Sequence, residues 1–159
     1  METHQKLLLR WYLTPYRLSR VYHGTSPLCW RQCGEVGTLI HIMWSCPKLS
    51  HLWSGVWGIA RDILNTLGPL TPGLAVLSLE LDNIPVFCRR VVSNLLLATR
   101  LVILRHWKNV VTPSLTEIIS TMHIQGKYEI MHSYTMGSSE AVTTSWTPWL
   151  QWYSNYTGL

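Results

Sequence analysis

Phenylalanine is almost missing from this chain: Phe87 stands alone against nine tryptophans and seven tyrosines in 159 residues. Charge is scarce as well, with Asp, Glu, Lys and Arg making up 13%. Hydrophobic residues reach 47%, which excludes a disordered tail and supplies a core. Sparse charge joined to excess tryptophan points to apolar faces meant for a neighbour, as in a piece of a larger assembly. The opening residues, Met1 to Lys6, contain no apolar stretch of the secretory kind. The sequon-like Asn155-Tyr-Thr157 has no other sign of secretion beside it. The apolar run Leu95–Leu104 is interrupted by Arg100 and flanked by Arg89, Arg90 and Arg105, too short and too charged to span a bilayer. No internal repeat and no low-complexity tract is present. The length suits one domain, or one domain with an appendage.

Cysteine is limited to four residues, and three of them stand together: Cys29, Cys33 and Cys46, with His41 between the last two. Only Cys88 lies apart. The spacing is C-x3-C-x7-H-x4-C. Three thiolates and an imidazole are the donor set of a closed, tetrahedral structural zinc site. The stretch Gly34–Gly37 gives the backbone the freedom to reverse between the two pairs. His41 and Cys46 suit a short turn or helical stretch that brings both side chains to one side. Ordinary buried cysteines beside a histidine are the plainer reading, and the spacing favours zinc over it. Cysteines arranged as reduced ligands fit a cytoplasmic or nuclear setting better than a disulfide framework.

Charge is unevenly placed. From Met1 to Arg61 the cations are Lys6, Arg10, Arg17, Arg20, Arg31, Lys48 and Arg61, against Glu2 and Glu35 alone. Beyond Arg61 the signs balance, so the net +5 resides in the part that holds the cluster. A basic patch beside a metal knuckle points to a polyanion, most naturally nucleic acid. A solvated basic face is the alternative.

Periodicity predicts a mainly α fold, with the small zinc knuckle packed on a helical domain. His4–Tyr12 is a first helical piece, and Thr14-Pro15 restarts it as cap and first position. Leu49, Leu52, Trp53, Val56, Trp57, Ala60, Ile63, Leu64 and Leu67 repeat at three and four until Gly68-Pro69 stops them. Trp53 and Trp57 are expected to pack the knuckle onto the body. Leu74–Leu81 reads as a strand or an irregular apolar segment. Pro85 opens a long helix to about Trp107 that is apolar over much of its circumference and therefore buried between neighbours. Thr112-Pro113 caps another helix toward Tyr134, weakened by Gly126. Trp146-Thr-Pro-Trp149 begins an aromatic tail that either docks on the body or waits for a partner. The chain thus divides into residues 1–67 (basic helices, knuckle and following helix), 68–134 (helical body) and 135–159 (Trp-rich tail).

Lys6–Pro15, Ser26-Pro-Leu-Cys-Trp-Arg-Gln-Cys-Gly34, Gly37-Thr-Leu-Ile-His41 and Trp44-Ser-Cys-Pro-Lys48 with Trp53 together resemble the C-terminal segment of a non-LTR retrotransposon reverse transcriptase, of the vertebrate long interspersed type. Leu70-Thr-Pro72, Arg105-His-Trp-Lys108 and Trp146-Thr-Pro-Trp149 are similar too, so the resemblance covers nearly the whole chain. It implies zinc on Cys29, Cys33, His41 and Cys46. It also implies an RNA-binding segment that assists target-primed reverse transcription, with the reverse transcriptase body and element RNA as partners. A reverse transcriptase needs paired aspartates to hold two magnesium ions. Here Asp62 and Asp82 each stand alone, so no catalytic site is expected, and Met1 would open a truncated element or a separately expressed remnant.

The expected nucleic-acid contacts are Lys6, Arg10, Arg17, Arg20, Arg31 and Lys48 on phosphates, with Trp30 stacking on an unpaired base or plugging the knuckle from beneath. For Trp44 the plug is the better reading. Three other readings stay open. The chain could be a zinc-stabilised protein-interaction remnant. It could be a hydrolase with Cys88 as nucleophile and His106 as base, although nothing in the sequence orients that base. It could also be a decayed fragment without selected function.

Overall fold

The computed structural model describes residues 6, 11–65 and 67–158. Among them the chain is mainly helical, and its only β-pairing is an isolated antiparallel bridge between Leu28 and Val36. The helices are α1 (Pro15–Val21), α2 (Ser50–Leu64), α3 (Pro72–Leu77), α4 (Val86–Arg105), α5 (Leu115–Thr135) and α6 (Ser139–Thr157). Of the helix expected over His4–Tyr12, Lys6 is helical, residues 11–12 are not, and the rest, Arg10 included, lies outside the described residues.

Local chemistry sets the boundaries. Thr14 Oγ1 accepts from the Arg17 amide at 3.2 Å and Pro15 occupies the first turn, as its sequence predicts. The same Thr-Pro signal starts α3: Thr71 Oγ1 accepts from the Leu74 amide at 3.1 Å ahead of Pro72. The segment left open between strand and irregular structure thus begins as a helix, ended by Ser78 in the left-handed region. The start of α5 lies two residues later than the Thr112-Pro113 reading. Ser114 is the cap and accepts from the Glu117 amide at 3.2 Å, the serine half of a capping box.

Helix α4 is central, packing against α2, α3, α5 and α6. Val91, Leu95, Ala98 and Val102 on one face are buried, as the periodicity requires, and so are Val92, Leu96 and Ile103. Arg100 is buried among them; it donates to the Ala75 carbonyl (3.1 Å) and Ser78 Oγ (2.9 Å), tying α3 to α4. Desolvation lowers its guanidinium pKa to about 10.

The Trp-rich tail is helix α6, which runs through Pro148 and docks on α4 and α5. Trp146 and Trp149 are fully buried. Trp146 donates from Nε1 to Glu129 at 2.9 Å, and Glu129 pairs with Arg90. The broad exposed tryptophan surface anticipated for an uncovered fragment is therefore absent among the described residues: only Trp11 is strongly exposed. Residues from all three sequence segments share one hydrophobic cluster.

Candidate metal centre

The knuckle is a tight reversal. Cys29 N–H donates to the Glu35 carbonyl and Gly37 N–H to the Pro27 carbonyl, both at 2.8 Å. Between them Gln32 and Gly34 take the left-handed conformation that turns the chain. Gly37 also permits a close approach, since a Cβ there would lie 2.6 Å from Pro15 Cγ. That contact seats the start of α1 against the knuckle, where Tyr16 N–H reaches the Gly37 carbonyl at 3.3 Å.

The second ligand pair sits on a π-helical turn, His41–Ser45, closed by Cys46 N–H donating to the His41 carbonyl at 2.9 Å. In α geometry, residues five apart point about 140° from each other. An i→i+5 closure instead brings residue 46 back over residue 41, so the local turn that looked merely convenient in sequence is what aligns the pair. Thr38 Oγ1 accepts from the His41 amide at 3.2 Å and fixes the start of the turn.

All four donor atoms lie within 4.8 Å of one another. Cys29 Sγ and Cys46 Sγ are 4.0 Å apart, and Cys33 Sγ is 3.2 Å from His41 Nε2. Sulfur atoms on a tetrahedral zinc, each about 2.3 Å from it, would be separated by about 3.8 Å. The donor chemistry and the spacing both suit zinc, and all four cysteines of the chain are unpaired thiols. Cys29, His41 and Cys46 are buried and Cys33 is half-buried, as in a closed structural site.

Burial sets the protonation of the ligands. It pushes the Cys29 thiol up from its usual 9.0 to about 11; the Arg31 backbone N–H works in the opposite direction, and Cys46 and Cys33 add to the rise. Burial holds His41 below its usual value, which favours the neutral imidazole a metal requires; Glu35 opposes this and Arg31 adds to it.

The expected phosphate contacts separate into groups. Arg17, Arg20 and Lys48 are exposed, and Lys6 is half-buried. Arg10 lies outside the described residues. Arg31 is a correction: it is 2% exposed and donates from Nη1 to the Ile42 carbonyl at 2.9 Å. Its position between two ligands turns the side chain into the knuckle, where it cannot reach a phosphate from outside. Its Nε and Nη2 atoms are buried without a hydrogen-bond partner. Three thiolates on a divalent ion would leave a net negative charge, for which an inward guanidinium would be a matching countercharge. The sequence signal for its inward position was the placement of Arg31 between Cys29 and Cys33.

Trp30 is half-buried, edge-on to Trp107 with centroids 5.4 Å apart, with Lys108 Nζ 5.9 Å from its ring. Trp107 in turn contacts Tyr12 at 5.1 Å. Trp44 lies against Trp53 at 5.4 Å, and Trp53 donates from Nε1 to the Met43 carbonyl at 3.0 Å, so this pair joins knuckle to body as expected. Trp57 is directed instead to the following linker, donating to the Gly68 carbonyl at 2.9 Å.

The hydrolase alternative loses its geometry. Cys88 is buried near the start of α4, with its thiol pushed up by burial, while His106 caps the other end of the same helix. The two are about 27 Å apart along the axis, and His106 is paired with Glu117 at 2.8 Å. No helix among the described residues is long and apolar enough to cross a membrane. No family model matches the chain.

Proposed function

We propose that this chain is a non-catalytic, zinc-stabilised module that binds single-stranded or structured RNA, as the accessory C-terminal segment of a non-LTR retrotransposon reverse transcriptase that supports target-primed reverse transcription. The observation that carries the reading is the surface around the metal centre. Arg17 and Arg20 project from α1 with the exposed aromatics Tyr16 and Tyr22 beside them in sequence, and Lys48 is exposed two residues past the last ligand. Cations interleaved with aromatic faces are what a single strand needs, phosphates on one and bases on the other. Arg20 and Lys48 make no ion pair with any described residue. The zinc would hold this surface in shape, and no step of chemistry is assigned to it.

The test is a titration of zinc-loaded protein with a labelled RNA at two salt concentrations. Phosphate contacts make affinity fall steeply as salt rises. Binding to a protein partner that ignores salt would support the other reading, an interaction remnant. That reading has its own observation: Ile124, Tyr128 and Met131 are exposed at helical spacing on α5.

A further inference from the structure

Beside the metal centre, one face of α2 opens into a groove of about 550 Å³, within the usual range of small-ligand sites. Trp53, Ser54, Gly58 and Arg61 line it from the helix, and Trp44 and Pro47 from the knuckle. The indole N–H of Trp53 is committed to the Met43 carbonyl, so that ring offers surface and no donor. Trp44 is only half-buried and supplies the accessible aromatic wall. Gly58 leaves the floor open: a Cβ there would meet nothing within 4 Å. Arg61 is the only cation of the lining; it is exposed and makes no ion pair with a described residue.

Those properties belong together. A nucleobase needs a flat apolar face with polar groups at its edge, which Trp44 and the Ser54 hydroxyl provide. Its phosphate needs a cation within reach, and Arg61 stands about 12 Å along α2 from Trp53, at the other end of the same lining. The lining holds no carboxylate to repel that phosphate; its one candidate thiolate, Cys46, is buried. We infer that this groove is a subsite for one unstacked nucleotide of a single-stranded nucleic acid, with the base against Trp44 and a phosphate on Arg61. The inference rests on the nucleic-acid reading above and adds residues outside the basic patch of α1.

The experiment compares a short labelled oligouridylate with an abasic oligonucleotide of equal charge, each titrated onto the zinc-loaded full chain. Wild-type protein should favour the oligouridylate by about 10-fold, the order of one stacked base. Gly58→Leu fills the open floor. It should erase that preference while leaving the abasic affinity, the salt dependence and the zinc content unchanged. Arg61→Gln, a substitution at an exposed position, should lower the salt slope by about 0.7 for both strands. A Gly58→Leu protein that keeps the base preference, or an Arg61→Gln slope equal to wild type, overturns the groove while salt-dependent binding leaves the nucleic-acid reading standing. Failure of the wild type to bind either strand overturns both.

Discussion

Arg31 Nη1 donates to the Ile42 carbonyl at 2.9 Å, so a buried guanidinium bridges the two halves of the knuckle next to the ligand His41. Its remaining buried N–H groups have no partner, and a cation in that position would complement a negatively charged thiolate centre. Arg31→Met should weaken zinc binding by about 10- to 100-fold, the usual cost of losing an outer-shell partner. Competition against a chromophoric chelator measures this. An unchanged zinc affinity would show that the guanidinium serves packing alone.

The ligands themselves should decide whether the knuckle folds. Cys33 is the least buried of the four donors and closes on His41 Nε2 at 3.2 Å. Cys33→Ser replaces a soft thiolate with a hydroxyl, so the ion should leave. Because its binding energy is folding energy, residues around the knuckle should then lose amide protection. Metal analysis of reduced wild-type protein should give one zinc per chain. A ratio near zero, with the knuckle still protected from exchange, would remove zinc from the account.

Zinc affinity should fall on acidification. Cys29 is pushed up to about 11 by burial, so binding must displace a proton from that thiol, and protons compete for it more strongly as pH drops. His41 is held below its usual value by burial, so its own protonation joins only at more acidic pH. Proton competition at Cys29 should therefore weaken zinc binding at every pH below about 11, with His41 adding to it only at more acidic pH. Proton release measured in two buffers of different ionisation enthalpy checks this; zinc uptake without proton release would contradict it.

Away from the metal, Gly126 sits under a fully buried ring: a Cβ there would lie 2.9 Å from Trp146 Cε3 and Cζ3. The ring cannot easily yield, since its Nε1 is held by Glu129. Gly126→Ala gains about 1 kcal/mol of helix propensity. It meets overpacking that costs about 1–3 kcal/mol. We expect a net loss, read as a lower Tm. A raised Tm would mean that α5 and α6 can shift apart.

That glycine shows where sequence reasoning stops. Read alone, Gly126 is a weak point in a helix; it is a contact only once α6 is known to lie across it. The long α4 was legible because its apolar positions repeat over many turns, and the clustering of Cys29, Cys33, His41 and Cys46 because their chemistry and spacing are specific. Thr14-Pro15 was read as a helix start, while the same signal at Thr71-Pro72 introduced only six helical residues, too few to show a period. The tail was read only as an aromatic segment that docks or waits for a partner, and Pro148 lies inside the helix it forms. The proline's local cost, about 3 kcal/mol, is outweighed there by burial of Trp146 and Trp149, a tertiary gain with no local mark. Arg31 was read as surface because cations usually are. Its inward direction follows from the turn that carries Cys29 and Cys33.

The basic surface can be tested apart from the metal. Arg17 and Arg20 are exposed on α1, whose capping residue Thr14 and first residue Pro15 are untouched by changes at either position. Arg17→Ala with Arg20→Ala should therefore leave zinc content and helical circular dichroism as they are. If both side chains meet phosphates, the double variant should bind every RNA more weakly by a similar factor. Its salt slope on single strands should be shallower by about 1.4, two contacts at about 0.7 each. Trp30→Ala separates a further contribution: a stacked base is worth about 1–3 kcal/mol and would be lost on single strands but not on duplexes. A purely packing role against Trp107 would instead appear as lower metal retention. RNA affinity and salt slope unchanged in the double arginine variant would remove the basic patch from the account and leave the exposed face of α5 as the surface to pursue.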